Sequence, residues 1–182
     1  MNRRMLTTLA AGVALATLGA GSLMAHDDDE DRGGRDHDSR FMVHANLVGF
    51  QEVPALSTTA HGSFRAWVDT KANTITYKLS YDALEGTVTQ SHVHFGQKSV
   101  SGGVSFFLCS NLGNGPAGTQ ACPAPPAEIT GVITPDLVIG PTGQGIEAGA
   151  FAEIVAAMRD GTAYANVHST KWPAGEIRGQ LR

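Results

Sequence analysis

The sequence predicts a mostly β fold, an antiparallel β-sandwich with one helix in a long connection. Two observations carry that expectation. From Phe41 onward, apolar and polar residues alternate with period two in short segments separated by Gly, Pro, Asn and Ser. One later stretch alone shifts to helical spacing. A run of seven or eight short strands with this patterning suits two packed antiparallel sheets.

The chain opens differently. Arg3 and Arg4 give a basic start, Met5 to Ala20 is uncharged and rich in Ala and Leu, and small residues lead to Ala25. This reads as a signal peptide over residues 1–25. The stretch is diluted by Thr and Gly and followed by acid, which argues against a membrane anchor of about 20 apolar residues. Residues 26–40, HDDDEDRGGRDHDSR, carry seven acids and three arginines and no large apolar side chain. They cannot bury a core, so they are expected to be a disordered acidic tether. Removing residues 1–25 takes two arginines and no acid, which moves the net charge from −4 to −6. Such a chain offers no basic patch for a phosphate backbone, so nucleic acid is not an expected partner. No segment after the signal is apolar enough to span a bilayer.

The domain is expected over residues 41–182. Phe41 to Val48 is the first strand, and Gly49 to His61, with Pro54 and several Thr and Ser, is a connection. Gly62 to Asp69 and Thr74 to Tyr81 alternate around a Thr70–Asn73 turn. Val88 to Phe95, Gly103 to Cys109 and Ile129 to Ile133 continue the series. Ile146 to Arg159 places Phe151, Ile154, Val155 and Met158 at spacings of three and four, which predicts a helix ended by Asp160-Gly161. Thr162 to Ser169 and Glu176 to Leu181 are the last strands.

The two cysteines, Cys109 and Cys122, lie in the exported part, where an even pair is most simply a disulfide. The residues between them are Gly-, Asn- and Pro-containing and would move without a clamp. A metal site or a thiol pair are the alternatives, and no His stands near enough in sequence to favour them.

The most specific local feature is Ser91-His92-Val93-His94-Phe95-Gly96. On a strand, His92 and His94 share one face and Val93 takes the other. Asn166 and His168 share a face in the same way. If these strands pair, three neutral imidazoles converge in a volume fit for copper or zinc. The plainer reading is a set of solvent-facing or hydrogen-bonded histidines. As ligands they would lose affinity as pH falls through about 6.5, the ordinary imidazole value. Glu176 and Arg178 share a strand face and suit an ion pair or a bridge to a neighbouring strand. Glu176 could instead orient a metal-bound His from the outer shell, and Glu52 could bind Arg178 across the domain. Serine-hydrolase, zinc-protease and phosphate-loop patterns are missing from the sequence.

Four segments in order carry a family likeness: Gly49-Phe50-Gln51-Glu52-Val53-Pro54, Ser91-His92-Val93-His94, Gly161 to Ser169, and Pro173 to Leu181. Together they resemble the CHRD domain, the domain first described in chordin and found in bacterial exported proteins. The resemblance implies a β-sandwich working in the periplasm or outside the cell, and brings no defined activity. Growth-factor antagonism is not implied, since the Cys-rich modules that accompany the domain in chordin are lacking. His92-Val93-His94-Phe95-Gly96 is also similar to the H-x-H strand of copper–zinc superoxide dismutases. No His lies between His94 and His168, however, so that enzyme's zinc-loop histidines are missing. The expectation is thus an exported, non-catalytic binding module with an unidentified ligand or envelope partner. Its possible copper or zinc site is His92, His94 and His168, with Asn166, Glu176, Arg178 and Glu52 in outer or structural roles. A mononuclear copper or zinc enzyme, and a purely structural or adhesive envelope protein, are the alternatives.

Overall fold

The structure, a computed structural model, describes residues 39–182. The expected signal peptide and all of the expected tether before Ser39 lie outside the described residues. Arg40, counted with the tether, already opens the first strand.

Eight strands and one helix follow in chain order: β1 Arg40–Val48, β2 His61–Asp69, β3 Thr74–Asp82, β4 Val88–Phe95, β5 Gly103–Ser110, β6 Ala127–Ile133, α1 Phe151–Asp160, β7 Ala163–Ser169 and β8 Ile177–Gln180. The strands stand where the period-two pattern puts them, within two residues at either end. The helix begins five residues later than expected. Before it the chain turns, with Ala150 N–H donating to Glu147 O and Phe151 N–H to Gly149 O. Gly161 ends the helix in a left-handed conformation, as Asp160-Gly161 suggests.

The expected sandwich is corrected. The eight strands form one antiparallel sheet, in the order β5-β4-β7-β8-β1-β2-β3-β6, rather than two stacked sheets. The reason is the position of β8, which pairs with β7 on one side and with β1 on the other, through Val48 and Arg178. Beyond β8 the pairing resumes: His44 N–H donates to Arg182 O at 2.9 Å and Arg182 N–H returns to His44 O at 3.2 Å. Gly179 permits this junction, because a Cβ there would stand 2.5 Å from Asn46 O. The sheet then curls until its edges nearly meet. Tyr77 Oη on β3 donates to Leu108 O on β5 at 2.7 Å, and Gln120 Nε2 donates to Tyr77 Oη at 2.7 Å and to Thr130 O on β6 at 3.0 Å. Strand period tells which face of a strand is apolar, not the order in which strands pair. The barrel-like closure was therefore not readable from alternation alone.

Inside the curl lies one core. Val43, Ala45 and Leu47 of β1 meet Phe64, Ala66 and Val68 of β2 and Ile75, Tyr77 and Leu79 of β3. Phe106 and Leu108 of β5, Val93 of β4, Ala165 and Val167 of β7 and Ile177 of β8 complete the strand contribution. Phe151, Ile154, Val155 and Met158 are the buried stripe of α1. Cys109 and Cys122 are bonded, with Cα atoms 5.1 Å apart. The Asn111 side chain binds the same junction, accepting from Cys122 N–H and donating to Cys122 O and Val88 O.

The two halves of the sheet differ in one respect that positions the site. β1, β2 and β3 alternate between buried and exposed residues, so they have one core face and one solvent face. Every residue of β7 is buried, as are Ile177, Arg178 and Gly179 of β8 and the Ser91–His94 run of β4. This half of the sheet has a second buried face, and that face is polar.

Candidate metal centre

β7 lies between β4 and β8. The register sets His92 opposite Asn166, His94 opposite Tyr164 and Gln90 opposite His168 on the β4 side, and Asn166 opposite Arg178 on the β8 side. Alternation then directs Val93, Ala165, Val167 and Ile177 to the core and the polar set to the other face. The β4–β5 pairing is irregular between Ser91 and His92 and again between Val93 and His94. Such bulges re-aim side chains. Phe107 of β5 packs edge-on against His92, ring centroids 4.4 Å apart.

The structure brings the three sequence-predicted histidines together. His92, His94 and His168 are 3, 7 and 6 % exposed, and one nitrogen of each lies within 4.8 Å of the other two. His92 Nδ1 is 3.2 Å from His168 Nε2. Two tautomers are fixed by backbone carbonyls, which only accept. His94 Nδ1–H donates to Gly102 O and His168 Nδ1–H donates to Pro173 O, each at 2.9 Å. The Nε2 atoms of both rings therefore carry lone pairs, and both face Asn166 Oδ1 at 3.1 Å. His92 Nε2 is buried with no hydrogen-bond partner. Burial holds all three rings neutral: it pushes His92 down to about 2 and His94 to about 4, and lowers His168 as well. The neighbouring imidazoles add to the shift at His92, while the Gly102 carbonyl works against it at His94. Neutral imidazoles with converging lone pairs can accept a cation at neutral pH. His44 and His61 stand exposed on β1 and β2, away from this group.

The remaining candidates form a flanking polar layer. His94 stacks on Tyr164 at 4.7 Å with an interplanar angle of 2°, and the Arg178 guanidinium lies 3.4 Å from the Tyr164 ring centroid. Arg178 Nη2 donates to Gln97 O at 3.1 Å. Arg178 also acts on Glu52, which sits just after the 3-10 turn Gly49–Gln51. Burial raises Glu52 to about 7, against the Arg178 charge and a hydrogen bond from Val53 N–H. Gly175 backs onto this carboxyl group: a Cβ there would stand 2.5 Å from Glu52 Oε1. Glu176 has other partners. Its Oε1 accepts from Thr58 Oγ1 at 2.9 Å and from Glu85 N–H at 2.7 Å. The bonds that orient His94 and His168 thus come from Gly102 and Pro173 carbonyls rather than from Glu176.

Sequence reasoning passed over Tyr164, Gly102, Pro173 and Phe107. Tyr164 alone had a local signal, since it lies two residues before Asn166 and shares its strand face. The carbonyls left no signal, because any residue type supplies one.

The CHRD domain family model matches residues 43–181, which runs from within β1 past the end of β8 and holds every one of these side chains. The chain belongs to the CHRD domain family. No curated protein and no solved structure matches it. The polar face of this CHRD domain is built from the segments that carry the family likeness: Glu52 from the first, His92 and His94 from the second, Tyr164, Asn166 and His168 from the third, Gly175 and Arg178 from the fourth. Among the described residues no helix is long and apolar enough to cross a membrane.

Proposed function

We propose that this CHRD domain is an exported, non-catalytic binding module that takes up a transition metal, copper or zinc, on His92, His94 and His168. One observation carries the reading. Three buried imidazoles converge, two of them with Nε2 lone pairs fixed by Nδ1–H bonds to Gly102 O and Pro173 O. Buried histidines that serve only packing satisfy both ring nitrogens from the protein, whereas His92 meets only another imidazole, His168, through Nδ1 and has no partner at Nε2 to hold its proton on one nitrogen. Burial speaks for binding over turnover, because a catalytic metal keeps an open position for substrate, and each of these rings is at most 7 % exposed. The Cys109–Cys122 disulfide supports an oxidising compartment, periplasmic or extracellular.

The test is calorimetric titration of the exported chain with zinc and with copper, beside the triple variant H92A/H94A/H168A and the double variant H44A/H61A. The parent and H44A/H61A should bind one ion with equal affinity, and the triple variant should lose that site. Equal binding by parent and triple variant would leave the histidines as structural residues of an adhesive or scaffolding domain. Turnover by the loaded protein would move the reading to an enzyme.

A further inference from the structure

We infer that Asn166 is a fourth ligand, donating its side-chain oxygen to the same ion, so that the site is built for a divalent cation held by three nitrogens and one oxygen. The inference rests on the three-histidine reading and adds a residue and a class of ion to it.

The geometry is that of acceptors facing acceptors. Asn166 Oδ1 lies 3.1 Å from His94 Nε2 and 3.1 Å from His168 Nε2. Neither nitrogen has a proton to give in the neutral ring, because each Nδ1–H is committed to a backbone carbonyl. Three lone pairs therefore point at one volume, with His92 Nδ1 offering its hydrogen to His168 Nε2 at 3.2 Å. With the His92 proton shifted to the unpartnered Nε2, that arrangement is offset by a positive ion placed among them. The spacing suits one. Donors at the corners of a tetrahedron with bonds of roughly 2.0–2.1 Å stand about 3.3 Å apart. The chain of contacts from His92 Nδ1 to His168 Nε2, to Asn166 Oδ1, to His94 Nε2 runs 3.2, 3.1 and 3.1 Å. Taking one nitrogen from each ring, the widest separation is no more than 4.8 Å, so the rings need only close by about an ångström and a half.

Position in the fold supports the role. Asn166 is 2 % exposed and sits in the middle of β7, opposite His92 on one neighbour and Arg178 on the other. It is held there by the sheet ladder, and Ser91 Oγ donates to its backbone carbonyl at 2.6 Å. A carboxamide oxygen is a hard donor. It suits divalent zinc or cupric ion, whereas cuprous ion favours soft sulfur ligands. All four ligands are neutral, so a carboxylate at 166 would offset part of the ion's charge.

The experiment uses the exported chain and its N166D and N166L variants, with H92A/H94A/H168A giving the background from the acidic tether. Zinc affinity is measured by calorimetry, cobalt(II) serves as a visible-absorption probe of coordination, and thermal melts report folding. The expected result is that N166L binds zinc about tenfold or more weaker, N166D binds at least as tightly as the parent, and the cobalt spectrum changes in N166L. Affinity alone would not separate a ligand from an outer-shell partner, since losing either costs roughly 10–100-fold; the cobalt spectrum and the N166D arm do. An unchanged cobalt spectrum in N166L overturns the inference and leaves the three-histidine reading standing. So does weakening by N166D, which is the signature of an amide turned over to donate its NH2 to both rings. A parent that binds no more than the triple variant overturns both. Should N166L fail to fold, the N166D comparison, nearly isosteric, decides alone.

Discussion

Glu52 offers a measurement that isolates the polar face from the metal question. Its carboxyl group is buried between Arg178 and Gly175, with Oε1 unpartnered, and its pKa rises from 4.5 to about 7. A carboxyl whose folded pKa is raised binds a proton more tightly in the fold than in the unfolded chain. Its contribution to stability is therefore fully present below pH 4.5 and is lost as pH rises through about 7. The shift of about 2.5 units, at 1.36 kcal/mol per unit, corresponds to about 3 kcal/mol. Glutamine has no such proton to lose. In E52Q the stability relative to parent should climb by about 3 kcal/mol between pH 4.5 and pH 8.

Urea unfolding of both proteins at pH 4.5, 5.5, 6.5 and 8 measures the difference directly. The comparison removes the histidines, which titrate identically in the two chains. Their own linkage has the opposite sign: folded pKa values lowered from 6.5 make the fold lose stability as pH falls below 6.5, down to the folded values. Parent stability taken alone would mix the two trends. A stability difference that stays constant from pH 4.5 to pH 8 would refute the buried, protonated Glu52, whatever its absolute size.

Other outcomes follow from the same contacts. Reducing the Cys109–Cys122 bond should add two hydrogens to the intact mass and lower stability by about 3 kcal/mol on the loop-entropy account; two free thiols in the unreduced protein would contradict it. Gly179→Ala drives a methyl toward Asn46 O at the β1–β8 junction and should cost roughly 1–3 kcal/mol in urea unfolding. An unchanged midpoint would mean that the junction yields freely.

How legible this molecule was depends on which half of the sheet is considered. In β1, β2 and β3 the alternation of Val43, Ala45 and Leu47 with polar neighbours states both the strand and its buried face, because the other face meets water. The same reasoning found β4 and β7 and placed His92, His94, Asn166 and His168 on common faces. It did not tell that those faces are covered. The covering comes from the Gln97–Gly102 segment and Pro173, which contribute backbone carbonyls rather than recognisable residue types. The single sheet was hidden for a related reason. It depends on β8, four residues long, joining β7 to β1, and pairing partners leave no trace in the period of either strand.

A covered polar face is costly unless each group finds a partner. Here most do: His94 and His168 have carbonyls, Arg178 has the Gln97 carbonyl and the Tyr164 ring, and Glu176 Oε1 has two donors. Among the described residues four buried side-chain atoms have none, and three of the four are Glu52 Oε1, Glu176 Oε2 and His92 Nε2. Three of the side chains that the sequence marks as chemical candidates thus each keep one atom unsatisfied. A face kept only for stability would do better with apolar side chains of the same volume, as replacements of buried ionic groups show. On the proposed reading a bound ion would account for the retained polarity, drawing on the lone pairs of His94, His168 and Asn166 that face one another.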